Sequence, residues 1–149
     1  MPLKTIRNLT AIAFLVIASA AVAGDDPRHE RHELMEDVGD AAKVIGGMLK
    51  GERAYDAAAF MAALVVFQDV SKQFGDLFPA GSETGMGTEA APAIWEDRAG
   101  FDAALVDWQN AVTAAIEANP GSLDEAKPAA GPVFKTCKAC HDSYRIEDE

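Results

Sequence analysis

Positive charge is scarce in this chain. Thirteen Lys and Arg stand against 24 Asp and Glu, a formal net charge of −11 over 149 residues. An acidic surface repels phosphate backbones and anionic lipid, so nucleic acid and anionic membranes are poor partners. It would steer a partner with a basic surface, although solubility alone accounts for such a charge as well. Beyond the first 23 residues no apolar run is long enough to cross a bilayer. Nothing reads as alternating strand, no stretch repeats, and there is no nucleotide or phosphate loop. No constellation of acid, base and nucleophile stands out, which turns the reading away from an enzyme.

What is present begins with a targeting segment. Lys4 and Arg7 make a positive start, residues 11–23 are almost wholly apolar, and Ala21-Val22-Ala23 offers a small-residue cleavage site. This is the pattern of a secretory signal peptide, with an apolar part short for a membrane span. Residues 1–23 are expected to be cleaved near Ala23, leaving 24–149 as one domain. Their loss removes two positive charges and makes the mature chain more acidic still.

Cysteine is also scarce. The two present fall in Cys137-Lys138-Ala139-Cys140-His141, near the C-terminus. Cys-x-x-Cys-His reads as a c-type haem attachment site. Thiols at i and i+3 lie one helical turn apart, so both can reach the vinyl groups on one porphyrin edge, and the next His can hold the iron. Three other readings compete with it. A redox dithiol wants a βαβ setting, which this chain lacks. A structural zinc site wants four ligands, and the only other histidines, His29 and His32, are far upstream. A plain disulfide would leave His141 without a role.

The rest of the mature chain reads as four helices. Asp25, Asp26 and Pro27 suit a helix start, and Leu34, Met35, Val38, Ala41, Ala42, Ile45, Met48 and Leu49 then recur at helical spacing until Gly51. One turn before Met35 the same stripe lands on Arg31, with His32 beside it; an inward guanidinium calls for an anionic partner. A second helix is predicted from about Asp56 to Gly75, its face made by Phe60, Met61, Leu64, Phe67 and Phe74 and widened by Val65, Val66 and Val70. Leu77-Phe78-Pro79 closes it. The glycine-rich stretch 80–91 is longer than a bundle needs, and either connects or covers a cofactor edge. A third helix is predicted over about Glu96 to Ala118 on the stripe Phe101, Leu105, Trp108, Val112, Ala115 and Ile116, and Asn119-Pro120-Gly121 breaks it. Ser122 or Asp124 caps the fourth segment, which either starts properly near Pro132 or bends there. Short links between four helices predict an all-α antiparallel four-helix bundle.

With these residues in view, the chain resembles the class II cytochromes c, the family of cytochrome c′ and its low-spin, methionine-ligated relatives. The resemblance runs through Arg31 to Gly39, Gly51-Glu52 with Tyr55-Asp56, Leu77-Phe78-Pro79, Ile94-Trp95, and Cys137 to Arg145. It implies an up-down-up-down bundle enclosing one covalently bound haem c, in the periplasm. It implies Cys137 and Cys140 as thioether anchors and His141 as the proximal iron ligand. Arg31 and His32 match positions against the haem near its propionates, with iron ligation a lesser role for His32. Arg145 matches a basic residue beside the proximal imidazole, although a cation near a helix C-terminus explains it equally.

Met35 matches the place that faces the iron from the other side. In the low-spin branch it is a sixth ligand, and the protein a one-electron carrier with periplasmic redox partners. In cytochrome c′ the side chain only occludes that side, and the protein binds small diatomics such as NO or CO. Leu34-Met35-Glu36-Asp37-Val38-Gly39 looks like the first branch and Arg31 like the second. Dimers paired through the first two helices occur in the family, and the helix faces here allow one. N-terminal sequencing of the exported protein is expected to start near Gly24; a retained segment 1–23 would contradict the targeting reading.

Overall fold

The computed structural model describes residues 26–146, so the expected signal segment lies outside the described residues. Four long helices make the fold: α1 (Pro27–Leu49), α2 (Ala57–Gln73), α4 (Arg98–Ala118) and α5 (Leu123–Tyr144), with a single turn, α3 (Ala93–Glu96), before α4. Among the described residues none is long and apolar enough to cross a membrane. Each long helix starts on a polar cap. The Asp26 carboxylate accepts from Arg28 N–H at 2.9 Å, Asp56 from Ala59 N–H at 3.0 Å, and Asp97 from Gly100 N–H at 3.1 Å. Ser122 caps α5, and Glu125 three residues on reaches back to Gly121 N–H at 2.7 Å; such pairs satisfy amides that the first turn leaves unbonded. At the far end of α1, Gly51 N–H bonds Met48 O and Glu52 N–H bonds Gly47 O. The φ of +75° at Gly51 suits glycine there.

Three helix boundaries differ from the sequence reading. The second helix tightens into a 3₁₀ turn over Phe74–Leu77. The third is interrupted at Asp97, whose backbone leaves helical geometry so that its carboxylate can cap α4. A Cβ on Gly100 would come within 2.1 Å of that carboxylate and 2.6 Å of the Tyr144 hydroxyl, so the corner needs glycine. The fourth helix does not start at Pro132. It runs unbroken from Leu123 with Pro128 and Pro132 inside it. Both prolines are exposed, and the carbonyls they deprive, four residues earlier on the same face, are left to water. On the opposite face Ala126, Ala130 and Val133 are fully buried and keep the helix seated.

α1 packs on α2, α2 on α4, α4 on α5 and α5 back on α1, as an antiparallel bundle requires. One half is a dense core of Ile45, Met48, Phe60, Leu64, Val112 and Ala126, closed at its end by Tyr55 Oη donating to Pro120 O at 2.6 Å. Val65, read as widening the inner face of α2, instead stands in solvent. The other half is held by Arg31, only 5% exposed. Its partners are not anionic. The guanidinium donates to Leu77 O (3.0 Å), Ser82 Oγ (3.0 Å), Ser82 O (2.8 Å) and Thr88 Oγ1 (3.0 Å), and lies 4.6 Å from the centre of the Phe78 ring. Within the chain, four neutral oxygens and an aromatic face solvate the charge that its burial takes out of water. Arg31→Met keeps the packing of the stem but orphans these acceptors. It is expected to cost about 2–4 kcal/mol in the denaturant unfolding of the haem-loaded protein, read from the midpoint with unchanged slope.

Candidate functional site

Between the Arg31 level and the dense core, the four helices part around a cavity of about 420 Å³. Met35, Val38 and Ala42 of α1 form one side. Phe101, Leu105 and Trp108 of α4 and Phe67 of α2 form the apolar walls. Cys137, Cys140 and His141 of α5 form another side, with Phe134 and Tyr144 flanking them. Helical periodicity makes this possible. Lys138 and Ala139, between the cysteines, are exposed, and Lys138 pairs with Asp142 at 2.8 Å. The i, i+3, i+4 set is thereby left on the cavity side. Edge-on ring contacts of 4.8 Å (Phe78–Phe101) and 5.4 Å (Phe101–Tyr144) stiffen the wall behind His141.

No disulfide joins the two cysteines. Burial pushes the Cys137 thiol up, and burial followed by the neighbouring Cys137 pushes Cys140 up to about 11, so neither is a thiolate at neutral pH. A poised redox dithiol needs the opposite shift. Among the described residues no group of three His, Cys, Asp or Glu side chains converges to hold a metal ion, which leaves a zinc site without its ligand set. Burial first, and the Arg145 cation second, push the His141 imidazole down. The ring therefore stays neutral, the form that binds a metal.

The cavity fits a haem. It is apolar, it is partly open to solvent, and two cysteines and an imidazole meet it from one helix.

The remaining residues singled out in the sequence fall into three places. Met35 is half-buried on α1, on the same cavity. Arg31 also reaches the cavity, with its polar atoms already committed to Leu77, Ser82 and Thr88. His32 stands at the rim with a largely exposed ring, 3.6 Å from Glu36. Arg145 is not on the His141 helix face, because α5 ends at Tyr144 and Arg145 is extended; its Nε donates to Glu89 at 2.7 Å. The stretch 86–90 does line the cavity. Glu89 and Arg28, which carry no motif, were invisible in the sequence, since only the folded chain brings them to this rim.

The described domain matches known proteins over its full length. The family described as cytochrome C′ matches residues 26–145. A cytochrome c′ from Rhodopseudomonas palustris is 40% identical over 146 residues, 95% of this chain and 97% of that protein. A cytochrome c-556 from the same organism is 35% identical over 145 residues, 94% and 96% of the two chains. The solved structure of cytochrome c′ from Rhodopseudomonas palustris superposes with a TM-score of 0.81 at 37% identity, covering 85% of this chain and all of that one. With this fold, this cavity and these relatives, the chain belongs to the cytochrome c′ family: it is a class II haem protein whose cofactor is covalently attached haem c.

Proposed function

We propose that the protein is an exported, periplasmic one-electron carrier, and not an enzyme. In this reading Cys137 and Cys140 hold the haem by thioether bonds, His141 is the proximal ligand and Met35 the sixth. The observation that carries it is that Met35 and His141, on α1 and α5, line one cavity. The haem supplies a one-electron change at iron. The chain's own residues do the rest. His141 and Met35 would hold the iron from α5 and α1, and a Met ligand would raise its potential. Phe67, Phe101, Leu105 and Trp108 exclude water. No proton needs to move, so no general acid or base is required. Redox partners with a basic surface suit the acidic chain.

A second reading is favoured by the cytochrome c′ relative being the more similar of the two. Met35 then merely occludes the distal side, and the apolar pocket admits only small neutral diatomics such as NO or CO.

Two measurements test these readings. The colour of the purified protein is expected to survive acid–acetone extraction, and Cys137→Ala with Cys140→Ala together to make it extractable; colour lost from the unaltered protein would remove the covalent assignment. Under the carrier reading the oxidised protein shows a weak far-red sulfur–iron band, and Met35→Ala abolishes it, turns the iron high-spin and lowers the potential. An unchanged spectrum in Met35→Ala, together with rapid CO binding by the reduced wild type, would select the gas-binding reading.

A further inference from the structure

The segment 78–91 is fastened to two sides of the cavity. From α1, Arg28 Nη1 donates to Thr84 O at 2.7 Å, and Arg31 holds Leu77, Ser82 and Thr88 through the bonds already described. At its other end the segment meets the tail of α5. Ala91 N–H donates to Tyr144 O at 3.0 Å, and Ile146 N–H to Glu89 O at 2.7 Å, so that Ala90 and Arg145 form an antiparallel bridge. Glu89 closes the join with its side chain, accepting from Arg145 Nε at 2.7 Å. The first fastening lies one and two helical turns before Met35, at Arg31 and Arg28, and the second about one turn after His141. A single segment therefore ties together the two sides from which the iron would be held.

The α5 end needs such a tie. Arg145 is already extended, with φ −116° and ψ 138°, and a terminal turn with nothing beyond it frays. That turn carries His141. We propose that Glu89 is a positioning residue for His141: by anchoring Arg145 and pairing with the α5 tail it holds the last turn in place, and it balances the cation beside the imidazole. The proposal rests on the reading of His141 as the iron ligand. The pair is half-exposed on both sides and contributes little to stability, so its role shows in the iron and not in the unfolding curve. Removing the carboxylate leaves the Arg145 charge unbalanced and unanchored. The loss of the negative charge favours the ferrous state, the one with less positive charge.

The test uses the haem-loaded full domain. Glu89→Gln, Arg145→Gln and the double variant are compared by redox titration, after covalent haem content and the unfolding midpoint have been measured. Glu89→Gln is expected to keep both and to shift the reduction equilibrium about threefold toward ferrous, about 28 mV for one electron. Arg145→Gln is expected to shift it the other way, and the double variant to depart from the sum, because Glu89 acts through Arg145. Glu89→Asp should recover part of the shift. An unchanged potential with haem intact, or strictly additive shifts, overturns the proposal. Should Glu89→Gln fail to load haem, amide exchange in the wild-type haem protein decides. The Ala91 and Ile146 amides are expected to exchange as slowly as those inside α5, and free-loop rates overturn the proposal. Absence of covalent haem from the unaltered protein would instead count against the haem reading itself.

Discussion

A guanidinium does not give up its proton inside a protein, so burying Arg31 obliges the surrounding chain to converge on it. Four neutral oxygens from Leu77, Ser82 and Thr88 do so. In gathering them Arg31 folds a long glycine-rich connection back onto the bundle. That connection supplies the rim of the cavity, and its far end reaches the tail of α5. Without this charge the upper half of the bundle would have no reason to be walled on that side, because few apolar side chains of the segment are buried there.

The two halves of the bundle divide the labour between stability and site. In the lower half large apolar side chains meet at no measurable exposure, Phe60, Leu64, Ile45 and Val112 among them, and polar caps finish the helix ends. In the upper half the same helices carry Met35, Phe67, Trp108 and Cys137 around space that side chains do not fill. A packed protein does not keep such space without an occupant. Two neutral thiols and a neutral imidazole on one helix face say which chemical partner fills it. The side chain opposite decides between electron transfer and gas binding, and Met35 suits either role by chemistry: it is a soft sulfur ligand and an adaptable apolar filler.

Legibility in the sequence followed the range of the interaction that decides each feature. Caps at Asp26, Asp56 and Ser122 are local, and so they were visible. So were the apolar stripes of α1 and α4, because a period of 3.6 is written into the chain. The cap at Asp97, accepting from Gly100 N–H, is local as well, but the Tyr144 hydroxyl that packs beside Gly100 comes from the tail of α5 and lies outside any local window of sequence. The start of α5 was left open between Ser122 and Pro132 for a related reason. Proline forbids one hydrogen bond locally, but whether the helix breaks depends on which face the orphaned carbonyl meets, and here it meets water. Arg31 was rightly placed inward, but its neutral partners within the chain, 46 to 57 residues away, leave no trace in composition.

The amino-acid sequence by itself determined the helical class, the positions of most caps and the motif that welds a haem to the last helix, since each depends on neighbours within a turn or two. Only the tertiary structure decided what Arg31 holds, that Met35 and His141 share one cavity, and that Glu89 meets Arg145. Those pairings join residues dozens of positions apart, and their energies exist only once packing has brought the helices together.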